Sequence, residues 1–140
     1  MTPAAYLRTR RAAAGLTLDA AACALAPRIA DRRVAYALLR LWETDGVVGE
    51  AGDVARLRTL YPFDVDVYRQ LAEEPADRHP TICTGCGCTQ NDACIDDVST
   101  ACHWVADDLC SACEDSATRS SVAWMYRAIV HSTDGEGATA

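Results

Sequence analysis

Seven cysteines crowd into the stretch from Cys83 to Cys113 of this chain of 140 residues, as Cys83-x2-Cys86-x-Cys88-x5-Cys94-x7-Cys102-x7-Cys110-x2-Cys113. No ordinary core needs thiols at that density, so the segment must close on something: a metal ion, a cluster or disulfides. The N-terminus "MTPAAYLRTRRAAAG" has no long apolar stretch behind its charges and does not read as a secretory signal. The expected compartment is therefore a reducing cytoplasm, where a dense cysteine group points to metal rather than to disulfides.

Two of the spacings are C-x2-C. In "CTGCG", Gly85 and Gly87 let the backbone turn so that Cys83 and Cys86 face one ion. In "DDLCSAC", Asp107 or Asp108 is expected to cap a helix that carries Cys110 and Cys113 on one face of its first turns. A knuckle followed by a helix start predicts a small treble-clef or zinc-ribbon-like module with a short β-hairpin. Cys83, Cys86, Cys110 and Cys113 are the expected ligands of one closed, tetrahedral zinc site.

Cys88, Cys94 and Cys102 remain. With His103, Asp92, Asp96, Asp97 or water they can make a second metal site, or share a cluster with the first four. An iron–sulfur centre is the alternative cofactor, because soft thiolates suit both metals. A Cys94–Cys102 disulfide and plain buried thiols complete the options. Trp104 and Val105 are expected to pack over the hairpin, and metal binding to supply about 10 kcal/mol or more of the module's folding free energy.

Upstream, residues 1–72 read as four or five short helices. Pro3 sits near a helix start and Gly15 past its end. Thr17 can cap a second helix, with Leu18, Ala21, Ala22 and Leu25 on one face, and Cys23 in it as a small buried hydrophobe. Asp31 can cap a third, with Val34, Leu38, Leu41 and Trp42 inward. Asp53 can cap a fourth, carrying Val54, Leu57, Leu60 and Tyr61. Asp64 can cap a fifth, with Val65, Tyr68 and Leu71 or Ala72 inward. Residues 73–81 form a Pro-containing linker in which His79 is solvated. Residues 82–131 form the cysteine module with its C-terminal helix, and 132–140 a disordered tail. Over 109–131, the stripe Val122, Met125, Tyr126, Ile129 and Val130 suits packing on the bundle or a homodimer contact.

The stretches "YLRTRRAAAGLTLDAAACAL" and "LLRLWETDGVVGEAGDVARLRTLYPFDVDVYRQLA" resemble the helix-turn-helix proteins of the Cro/C1 type, over roughly residues 4–72. The resemblance implies a DNA-binding bundle. Here "APRIADRR" replaces that family's tight turn, and the recognition position reads "RRVAYALLRLWE", which offers arginine and little else for base edges. Arg28, Arg32, Arg33 and Arg40 would then hold phosphates. The pattern "CTGCGCT…AC…CHWV…DLCSAC" is similar to a cysteine motif of small phage and prophage proteins, which implies a metal-binding module in a mobile-element context.

Charge supports a divided chain. All thirteen basic residues are arginine. Residues 1–40 carry seven of them against Asp19 and Asp31, whereas residues 71–140 carry three against twelve acids. The overall charge of −7 argues against blanket nucleic-acid affinity and permits it for the N-terminal part. No apolar run approaches the ~20 residues of a membrane span. Three histidines, none in a catalytic motif, and no phosphate-cradling glycine loop give no expectation of an enzyme. The expected function is a phage-type regulatory protein that binds duplex DNA. The alternatives are an iron–sulfur redox sensor and an interaction module acting on a host or phage protein.

Overall fold

A computed structural model describes residues 1–95 and 99–114. The chain is mainly helical, with a two-stranded sheet at the cysteine end. Helix α1 spans Pro3–Ala13. The Thr2 side chain accepts from the Ala5 amide, and Pro3 takes the first helical position, where no donor is missed. Beyond the helix, Gly15 adopts a left-handed φ of +72°, which lets the Leu16 amide return to the Arg11 carbonyl.

Helices α2 (Leu18–Leu25) and α3 (Ile29–Trp42) pack on each other, and α2 is capped by Thr17 through the Ala20 amide. Buried Ala21 and Ala22 permit close approach to Ala35 of α3. Leu18 and Leu25 cover the contact's edge. Cys23 lies on the opposite arc of α2 and is exposed, not buried as expected.

Helix α3 departs from expectation in two ways. It begins at Ile29, so Asp31 lies within its first turn and caps nothing. Its core face is Ala35, Leu39 and Trp42, while Val34, Leu38 and Leu41 face outward at 62%, 39% and 48% exposure. The helix carries two adjoining apolar stripes with the same spacing. The one that includes small Ala35 is the one that fits against α2.

A loop leads to α4 (Ala51–Val54), which continues as a 3-10 turn over Ala55–Thr59. Asp53 lies inside α4, so the expected cap is absent; Glu50 precedes the helix without a side-chain cap bond. Gly49 is required by space, since a Cβ there would lie 2.7 Å from the Trp42 ring. Helix α5 (Val65–Glu73) is capped by Asp64, which accepts from the amides of Asp66 and Val67.

The core joins Tyr6, Leu7, Leu39, Trp42, Val54, Leu57, Tyr61, Phe63, Val67, Tyr68 and Leu71. Two phenols tie loops to it: Tyr6 Oη accepts from the Asp64 amide and Tyr68 Oη from the Gly49 amide, each at 2.9 Å. A buried fork closes one side, with Arg11 Nε and Nη2 each 2.7 Å from the Glu43 carboxylate.

Ile82 belongs to this same core, so the chain enters the cysteine region already anchored. A short 3-10 turn, Ala76–Arg78, precedes it. Strands β1 (Trp104–Ala106) and β2 (Leu109–Cys110) form an antiparallel hairpin, with Trp104 opposite Cys110. Asp107 and Asp108 make its turn rather than capping a helix, and residues 111–114 are helical directly after β2. The expected helix over 109–131 otherwise falls outside the described residues, as does the tail 132–140.

Candidate metal centre

The knuckle is built by backbone hydrogen bonds. The Cys83 amide donates to the Cys88 carbonyl at 2.9 Å, and the Gly87 amide to the Cys83 carbonyl at 2.8 Å. Gly87 holds a φ of +75°, and a Cβ on it would come within 2.6 Å of Arg10 Cδ. Gly85 serves differently: a Cβ there would strike Cys113 Sγ at 2.7 Å. Both glycines are therefore set by what must pass close to them.

Strand β2 then brings Cys110 under the knuckle, where its amide donates to Cys83 Sγ at 3.4 Å. Cys110 immediately precedes helical residues 111–114, and its sulfur accepts from the Cys113 amide, as a helix-capping group does. The expected pairing on a helix face thus becomes a strand end followed by a first turn. A second small loop holds Cys94 and Cys102 together. The Cys102 amide donates to the Cys94 carbonyl at 2.8 Å, and the Cys94 amide to Cys102 Sγ at 3.2 Å.

The seven thiols form one continuous group. The sulfurs of Cys83, Cys86, Cys88 and Cys110, all buried, lie within 4.8 Å of one another, and so do those of Cys88, Cys94, Cys102 and Cys110. Either set could hold a metal ion. Cys113 stands against Cys83, Cys86 and Cys110 by thiol hydrogen bonds. Spacing alone sets Cys88 apart from the two C-x2-C pairs, whereas the fold puts it within the buried four. Cys86 Sγ is 3.7 Å from Cys110 Sγ, and Cys88 Sγ is 3.8 Å from Cys102 Sγ. Four thiolates at about 2.3 Å around one tetrahedral ion stand about 3.8 Å apart. All eight cysteines of the chain are free thiols.

Burial pushes the thiols of Cys86, Cys88, Cys94 and Cys113 upward, since a bare thiolate loses its hydration there. Burial also opposes ionisation of Cys110. The Cys113 amide and the thiols of Cys83, Cys88 and Cys113 outweigh it and hold Cys110 down at about 6. A group of this kind ionises fully only when a cation compensates it.

The other candidate ligands stay apart. His103 is exposed, its amide bonded to Ser111 Oγ at 3.2 Å, and it joins no metal-capable group among the described residues. His79 is half-buried, with its ring 2.8 Å from the Glu74 carbonyl. Asp92 is engaged by Arg10 at 2.7 Å, and Asp96 and Asp97 lie outside the described residues. Trp104 packs against the cysteines, whereas Val105 is exposed.

The candidate phosphate-binding arginines lie far from this centre in sequence, on and before α3. Arg28, Arg33 and Arg40 are exposed. Arg32 is half-buried, with Nη2 3.4 Å from the Pro27 carbonyl. Arg8, Arg10, Arg11, Arg69 and Arg78, by contrast, form ion pairs within the fold. Beside α3 runs a groove of about 480 Å³ with a floor of Leu25, Ala26, Val34, Leu38 and Trp42, and with Arg28, Asp31 and Arg56 at its sides. Sequence reading missed this groove because it assigned Val34 and Leu38 to the core. No helix among the described residues is long and apolar enough to cross a membrane.

Compared with known proteins, the chain matches no family model, no curated protein and no solved structure.

Proposed function

We propose that this chain is a zinc-braced regulatory protein that acts by binding rather than catalysis. Its working surface is α3. The observation that carries this reading is the outward stripe of Val34, Leu38 and Leu41 beside a groove flanked by Arg28 and Arg56. An apolar floor bordered by two arginines and one aspartate, Asp31, suits an amphipathic helix of a protein partner, whose apolar residues enter the groove while its carboxylates meet Arg28 and Arg56. The knuckle, the hairpin and the helix start support a treble-clef-like module as the brace. Zinc is favoured over an iron–sulfur centre because two sulfur pairs, Cys86–Cys110 and Cys88–Cys102, stand at the edge length of a single tetrahedral ion. Inorganic sulfide between irons would hold cysteine ligands farther apart.

Duplex DNA is the second reading, in keeping with the Cro/C1-type resemblance and the phage-like cysteine motif. Arg28, Arg33 and Arg40 are exposed and in no ion pair among the described residues, so they are available to phosphates.

One experiment separates the two. Binding is measured by fluorescence anisotropy with a labelled helical peptide carrying Leu at i, i+3, i+4 and i+7 and flanked by Glu, and with mixed-sequence duplex DNA at low salt. Peptide binding that Leu38→Asp abolishes supports the protein-partner reading. A DNA shift that vanishes in Arg33→Ala/Arg40→Ala, with no peptide binding, overturns it in favour of DNA.

A further inference from the structure

The geometry points to two metal ions in the cysteine group, sharing one thiolate, Cys110. This inference rests on the zinc reading above and deepens it.

Two tetrahedral ions need eight ligand positions. The chain brings seven cysteines together, so full coordination without water or histidine requires one sulfur to bridge. Cys110 is placed to do so. Both it and Cys88 belong to the two four-sulfur sets, and the contact of Cys110 with Cys113 selects Cys110 as the bridge. Cys110 also touches Cys83, Cys86 and Cys113 by thiol contacts, at 3.7 Å for Cys86. The first ion would take Cys83, Cys86, Cys113 and Cys110. The second would take Cys88, Cys94, Cys102 and Cys110.

Further points agree. Cys110 is buried with Cys83 and Cys88 at the centre of the group, whereas Cys94, Cys102 and Cys113 are half-buried at its periphery. Among the described residues no histidine or carboxylate joins the group. Sharing a thiolate also lowers the buried charge, leaving one negative charge fewer than two separate four-thiolate sites. Cys86 and Cys94, with sulfurs 3.2 Å apart, are where the two ligand shells meet, so the ions would sit side by side rather than in separate lobes.

The test is metal content of the anaerobically purified full chain, followed by cadmium NMR of the cadmium-substituted protein. The expected result is two zinc ions per chain. Two cadmium resonances should then each be split by the other through the common sulfur. Cys102→Ser, at the half-buried edge, should lower zinc toward one ion per chain and abolish the splitting while the helical bundle keeps its circular dichroism. One zinc ion in the wild-type protein, or two unsplit resonances, overturns the shared thiolate and leaves a single zinc brace standing. Iron with visible absorbance, or no metal, overturns the zinc reading itself.

Discussion

Arg10 and Asp92 stand 82 positions apart in sequence and meet at 2.7 Å, joining α1 to the loop that carries Cys88 and Cys94. The arginine is 7% exposed, donates from Nε to the Pro62 carbonyl at 2.8 Å, and lays its stem against Gly87. One side chain thus holds the bundle, the α5 entry loop and the knuckle together. Because Asp92 remains partly exposed, the pair is worth less than a fully buried one. Arg10→Ala should cost about 2 kcal/mol, mostly by orphaning these partners. Hydrogen exchange should rise over residues 83–94 more than over α3. Protection over residues 83–94 unchanged from the wild type would show that the docking does not depend on this contact.

The Arg11–Glu43 fork is more deeply buried, with side-chain exposures of 13% and 3%. Removing one partner leaves a charge without water. Glu43→Gln should destabilise by about 3 kcal/mol in urea unfolding. Replacing both, as Arg11→Met/Glu43→Leu, should recover most of that loss. A double variant worse than the single one would show that the fork contributes net stability.

Gly87 meets two constraints at once, a φ of +75° and the Arg10 stem. Gly87→Ala should therefore cost more than the ~1 kcal/mol of a left-handed alanine alone, and lower zinc affinity with it. In an Arg10→Ala background the steric part should disappear, so a double-mutant cycle reads the contact directly.

Tyr6 is fully buried, and its phenol is pushed up from 10.0 to about 12, chiefly by burial. A raised folded pKa means the neutral phenol is favoured in the folded chain. The resulting stability is complete below pH 10 and is lost as pH climbs through 12, an effect of about 2–3 kcal/mol at most. Tyr6→Phe should flatten that alkaline loss. It should also lower stability near neutrality by about 1 kcal/mol, because the Asp64 amide loses its acceptor. An unchanged alkaline midpoint would mean that another group governs it.

The parts of this fold that were legible in the sequence are those written in local chemistry. Thr17 and Asp64 cap the helices they precede, Pro3 opens α1, Gly15 closes it, and the two C-x2-C pairs meet. What escaped was set by contacts between distant residues. Periodicity could not choose between the stripes Val34–Leu38–Leu41 and Ala35–Leu39–Trp42, because that choice depends on the small residues of α2. Asp107 and Asp108 fit a cap and a hairpin turn equally well. The pairing of β1 with β2 made them a turn. Cys88 looked like a leftover because linear spacing carries no information about which sulfurs a knuckle folds inward. Nothing in "TRRAAAG" marks Arg10 as the residue that reaches Asp92.

The position of Ile82 has a consequence for how the chain is made. Every residue of the bundle core is present once synthesis has passed Ile82, whereas the thiol group is incomplete until Cys110 and Cys113 emerge. The bundle can therefore form first and offer Arg10 as a fixed landing point. During that interval the early thiols are exposed and still short of their last two partners. A newly made chain would be most open to oxidation or to the wrong metal then, and least so once its last cysteine arrives.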